Sequence, residues 1–162
     1  MAENFPTNPT SNSKENRVDH IFWALRLTLG GTAIAAGLDK FFNKMTDWEK
    51  YISPAVQRRL PISGRNFMRA VGVIEIGAGA LTLAKPGLGS LITAAWLTGI
   101  AGNLVLEQDW YDIAARDVNM AVGALALAGV AEIRQARRAT RDASHIELSE
   151  HSPVRTEQRR TA

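Results

Sequence analysis

Polar residues crowd the two ends of this chain and apolar ones its middle. Residues 1–19 and 132–162 carry few large hydrophobic side chains, while four apolar stretches lie between them. The first, residues 21–38 (IFWALRLTLGGTAIAAGL), holds about 18 residues, close to the minimum for crossing ~30 Å of hydrocarbon as a helix. The second, residues 70–84 (AVGVIEIGAGALTLA), is closed by Lys85, Pro86 and Gly87, which force a tight turn. The third follows at once over residues 87–106 without a formal charge and is the clearest spanning segment in the chain. So short a turn makes the second and third helices antiparallel neighbours. The fourth, residues 113–133, opens with Arg116 and Asp117 and is stopped by Arg134, Arg137 and Arg138.

This pattern predicts an all-α integral membrane protein: a four-transmembrane-helix bundle over residues 19–133, with helices about 20–42, 67–84, 87–106 and 113–133. An even number of crossings puts the polar tails, 1–18 and 134–162, on one side. Both tails lack the apolar residues that offset ordering entropy, so rapid proteolysis is expected within residues 1–16 and 143–162. A soluble helical bundle is the competing reading, but the third segment has no polar face to offer water. A signal peptide ending near Ala33, Ile34 and Ala35 is the competing reading of the first segment; Arg26 inside its apolar run argues against it.

Between the first two helices, residues 43–66 form a loop with folding signals of its own. Thr46 and Glu49 have capping-box spacing, and Ser53 before Pro54 resembles an N-cap followed by proline at the first helical position. Trp48, Tyr51, Ile52 and Val56 are apolar anchors, and Lys50, Arg58 and Arg59 can reach lipid phosphates. Short helices in the membrane interface are expected, with an ordinary extramembrane loop as the alternative.

Averages conceal this organisation, since 46% hydrophobic residues and a mean hydropathy of -0.10 suit a soluble protein. The formal charge of +3 comes from basic residues gathered beside the apolar segments, so they read as membrane flanks and no nucleic-acid partner is expected. These flanks barely orient the bundle. The tail side has Lys14, Arg17, Lys85, Arg134, Arg137, Arg138 and Arg141, and the loop side has Lys40, Lys44, Lys50, Arg58, Arg59, Arg65, Arg69 and Arg116. The arginine cluster after the fourth helix leans toward cytoplasmic termini. With no cysteine and only His20 near the membrane, thiolate metal sites and paired-histidine haem ligation within the chain are excluded. No metal, phosphate-loop or hydrolase motif appears.

The candidate chemistry is intramembrane charge. Arg26, Gly30, Ala33, Gly37 and Lys40 fall on one stripe of the first helix, and Gly72, Glu75 and Gly79 on one stripe of the second. Small residues at this spacing bring helix backbones together, so the charges point into the bundle. Depth measured from the tail-side ends lets Arg26 and Glu75 meet, either as a structural ion pair or as a polar lining for a small ligand or quinone headgroup. Asp39, Lys40, Asn103, Glu107, Arg116, Asp117 and Asn119 should share one depth on the loop side. They read as a polar mouth or as snorkelling helix ends.

Gly37-Leu38-Asp39-Lys40-Phe41-Phe42, then residues 72–79 (GVIEIGAG), Lys85-Pro86-Gly87 and Ala115-Arg116-Asp117-Val118 resemble the DoxX-like family over roughly residues 21–133. The resemblance implies a four-helix prokaryotic plasma-membrane protein, usually without a defined activity. Some relatives are the membrane subunit of a thiosulfate:quinone oxidoreductase and others associate with redox-stress proteins. Arg26, Lys40, Glu75 and Asp117 are the polar positions that match, and none belongs to a catalytic motif. Two functions are therefore expected to compete. One is a non-catalytic membrane subunit or scaffold in a redox or other membrane complex, with no evident cofactor. The other is the quinone-facing subunit of an oxidoreductase. Transport is a distant third, as no helix is broken by proline.

Overall fold

The structure, a computed structural model, describes residues 9–108 and 110–150. It comprises α1 (Pro9–Phe42), a 3-10 turn (Trp48–Tyr51), α2 (Pro54–Arg59), α3 (Gly64–Ala84), α4 (Pro86–Leu106) and α5 (Tyr111–Glu150). Among the described residues four helices are long and apolar enough to cross a membrane: Asn16–Phe42, Gly64–Ala84, Pro86–Leu106 and Tyr111–Ser144. The protein is a four-helix, multi-pass membrane bundle. Alanine supplies much of the buried core, beside Phe22, Leu29, Leu104 and Leu127. Ala94, Ala101, Ala114, Ala121, Ala124, Ala128 and Ala131 are buried, whereas Leu27, Val73, Val122 and Leu125 face outward. Lipid is as apolar as leucine, so such helices gain from close backbone approach and interhelical hydrogen bonds rather than from hiding large side chains. One such bond joins the buried hydroxyls of Thr82 and Thr93 at 3.0 Å.

Helix α1 packs on α3, α3 on α4 and α4 on α5, with a thinner seam returning from α5 to α1. The α1–α3 seam is set by glycine. A Cβ at Gly37 would lie 2.6 Å from the Gly72 carbonyl oxygen, and a Cβ at Gly72 would lie 2.6 Å from that of Gly37. Gly30 and Gly79 repeat the arrangement at 3.1 and 2.7 Å. The glycine stripes expected from the sequence thus face each other in antiparallel register. At the α3–α4 turn, Pro86 opens α4 at its first position and Lys85 ends α3, its N–H bonded to the Leu81 carbonyl at 2.7 Å.

Two boundaries differ from expectation. Helix α1 begins at Pro9 instead of near residue 20, and α5 runs to Glu150 instead of ending near 133. Between Ile133 and Glu150 there is no proline or glycine, and Ala136, Ala139, Ala143 and several arginines favour helix, so nothing stops it. Arg134 also pairs with Asp19 and lies 4.1 Å from the centre of the Phe22 ring, tying the two extensions together where they leave the apolar zone. Residues 9–18 and 134–150 of the polar tails thus continue the first and last helices, while residues 1–8 and 151–162 lie outside the described residues. In the loop, Ser53 caps α2 and Pro54 is its first residue, as the sequence suggested. The preceding turn is capped by Asp47 rather than Thr46, its carboxylate accepting from the Glu49 N–H at 3.1 Å.

Candidate functional site

The site starts where α1 ends. Asp39 is buried, and its carboxylate accepts from the N–H groups of Lys44 (2.9 Å) and Met45 (3.0 Å) and from Trp48 Nε1 (2.8 Å). The chain can turn back over the helix end because Asn43 adopts the left-handed conformation (φ 50), which asparagine tolerates better than most residues. Asp39 thus folds the loop onto the bundle and fixes Trp48. The Lys40 ammonium lies 3.7 Å from the centre of the Trp48 ring and donates to Glu75 Oε2 at 2.5 Å. Both partners are shielded, with side chains 4% and 13% exposed.

The other two spans complete the cluster. From α4, the Trp96 indole N–H stands beside the Glu75 carboxylate without closing a hydrogen bond. From α5, buried Asp117 lies near enough to interact with both Lys40 and Glu75. Its Oδ1 accepts from Arg116 Nε and Nη2, each at 3.2 Å, while the arginine itself is 58% exposed. Over this cluster, Trp48, Tyr51 and Trp110 stack edge to face at centroid distances of 6.0 and 5.1 Å, joining the loop to the start of α5. Edge-to-face geometry is the favoured contact between aromatic quadrupoles.

The expected contact between Arg26 and Glu75 does not form. Arg26 donates through Nε to the Leu83 carbonyl at 2.8 Å, and again through Nη2, with its guanidinium 4.7 Å from the centre of the Trp23 ring. Leu83 is one residue from the end of α3, so its carbonyl has no partner within the helix, and Arg26 supplies one to the negative end of the dipole. The separation has a simple cause. Helical side chains lean toward their own N-terminus. In the antiparallel pair that lean carries Lys40 and Glu75 toward each other at the Gly37–Gly72 level, and carries Arg26 and Glu75 apart.

Asp39, Lys40, Glu75 and Asp117 therefore gather at the loop end, and Arg26 acts alone at the tail end. Asn103 and Glu107 are half-buried near the end of α4 and make no side-chain hydrogen bond or ion pair among the described residues. In the sequence Trp48 reads only as an apolar anchor of the loop, and nothing there singles out Trp96. The one available signal was an indole N–H in each, which needs a partner wherever water is scarce. Chemically, the arrangement holds a cation between a carboxylate and an aromatic face and locks α1, α3 and the loop to one another.

The chain matches no family model, no curated protein and no solved structure.

Proposed function

We propose that this protein is a non-catalytic membrane subunit of the DoxX-like type, which presents a fixed loop-side platform to a partner in a membrane complex. The supporting observation is how its buried charge is used: Lys40 is held by Glu75 and Trp48, and Asp39 by the loop it folds. Charge committed in this way makes the loop part of the bundle rather than a mobile connection. The resemblance of residues 21–133 to that family supports a prokaryotic plasma membrane as its location. Arg134, Arg137, Arg138 and Arg141, just beyond the fourth span, favour cytoplasmic termini.

The test is mild-detergent extraction from the native membrane, followed by native electrophoresis and quantitative mass spectrometry. A stoichiometric protein partner is expected, and Asp39→Ala should release it while the bundle remains folded. Recovery of the wild-type chain alone, or retention of the partner by Asp39→Ala, would remove the reading. The quinone-facing alternative loses its headgroup site at Arg26 and Glu75, which stand at opposite ends of their seam. Stoichiometric quinone in the same preparation would restore it.

A further inference from the structure

The thin seam between α1 and α5 opens into a lateral crevice of about 630 Å³. Leu25 and Leu29 of α1 and Met120 of α5 give it apolar walls. Thr28 of α1 adds a hydroxyl, and the charged and amide groups come from one face of α5, where Asp112, Arg116 and Asn119 follow one another at helical spacing. At 1.5 Å per residue, Arg116 is rooted about 6 Å and Asn119 about 10 Å deeper than Asp112. None of the three is fully satisfied by the fold. The Asp112 carboxylate and the Asn119 amide make no side-chain bond among the described residues, and Arg116 turns only Nε and Nη2 to Asp117, leaving Nη1 free. An exposed asparagine within a span is costly in lipid, because a helix gives its amide no complete set of partners.

Read from the surface inward, this face offers a carboxylate, a guanidinium, an amide and then an apolar wall. A phospholipid with an amine headgroup offers the complement in the same order: ammonium, phosphate, ester carbonyl and acyl chain. We propose that the α1–α5 crevice is a binding site for one phospholipid of the ethanolamine type. Its ammonium donates to Asp112, its phosphate accepts from Arg116, its ester carbonyl accepts from Asn119, and an acyl chain lies along Leu25, Leu29 and Met120. Arginine with phosphate is the strong contact, being charge-assisted. Asp112 is the selective one, since the same carboxylate repels an anionic glycerol headgroup and attracts an ammonium.

The test is native mass spectrometry of the full chain, equilibrated in detergent with equal amounts of phosphatidylethanolamine and phosphatidylglycerol. One phosphatidylethanolamine should stay bound per chain, favoured over phosphatidylglycerol by about tenfold, the effect of one well-placed charge contact. Asp112→Asn should bring the two lipids close to parity. Arg116→Gln combined with Asn119→Leu should abolish retention of both, while Arg69→Gln, exposed at the loop end outside the crevice, changes nothing. Equal retention of the two lipids by the wild type, or an undiminished preference in Asp112→Asn, overturns the site. Since Arg116 also partners buried Asp117, the double variant can fail to fold. Asp112→Asn, which alters only an exposed side chain, then decides alone.

Discussion

Helix α1 presents one seam to α3 and another to α5, and the two are built from similar residues with opposite results. Toward α3, Gly30 and Gly37 meet Gly79 and Gly72, and the backbones close until no Cβ would fit. Toward α5, Ala24, Thr28 and Leu29 line an open crevice together with Ala115 and Gly123. Small residues on one helix are thus not enough. They close a seam when the facing helix has small residues at the same levels and when the flanking charges find partners across it. On the α3 side Lys40 reaches Glu75 and Arg26 reaches the Leu83 carbonyl, one at each end. On the α5 side Asp19 and Arg134 tie the tail end, whereas at the loop end Asp117 faces Lys40 without closing a hydrogen bond or ion pair among the described residues.

The largest effect should come from breaking the clasp at the loop end of the closed seam. Lys40→Met leaves the shielded Glu75 carboxylate without its cation. Such a loss costs on the order of 3 to 5 kcal/mol in proteins generally, and lipid offers no water to relieve it. Combining Lys40→Met with Glu75→Leu should recover most of that stability, read as the unfolding free energy in detergent. The combination Arg26→Leu with Glu75→Leu should instead be additive within about 0.5 kcal/mol, because those side chains act independently. Rescue in the second cycle and not the first would reverse the assignment.

How much of this was legible in the sequence follows from the physics of each part. The glycine stripes were readable, because spacing of three and four puts residues on one face whatever the partner. The choice of ion pair was misread, because depth counted from helix ends ignores the N-terminal lean of side chains, which shifts two antiparallel residues in opposite directions. Asp39 was recognised as a polar helix end, but its task was hidden, since three of its donors become neighbours only after Asn43 reverses the chain. The extent of α5 was misjudged for a further reason. Hydropathy reports where a helix leaves the apolar phase, not where it stops being a helix, and the next proline is Pro153.

A smaller effect is expected from filling the closed seam. Gly72→Leu would push a side chain into the Gly37 carbonyl and the Lys40 Cβ, and the nearest of these atoms, the carbonyl oxygen, is backbone and cannot swing aside. Overpacking of this kind costs roughly 1 to 3 kcal/mol, occasionally more. A loss below about 0.5 kcal/mol in the same unfolding measurement would mean that the seam is looser than its geometry.

The smallest effect sharpens the contrast from the other face of α1. Gly31 has no neighbour within 4 Å of a would-be Cβ, so Gly31→Leu should change stability by no more than about 0.5 kcal/mol. A loss comparable with that of Gly72→Leu would show that something covers this face in the folded protein.

Because α5 runs unbroken from Tyr111 to Glu150, its last turns are mechanically continuous with the wall of the bundle. At 1.5 Å per residue its 40 residues measure about 60 Å, roughly twice the hydrocarbon thickness. The far end is therefore carried on a mast of fixed height and bearing, not on a tether. Bearing is the more sensitive of the two. Each residue added to the protruding part turns everything beyond it by about 100°, whereas seven residues restore the original heading to within about 20°. The surface that α5 shows above the membrane is thereby phased to the helix face that lines the crevice below, as a weathervane's pointer is phased to its tail.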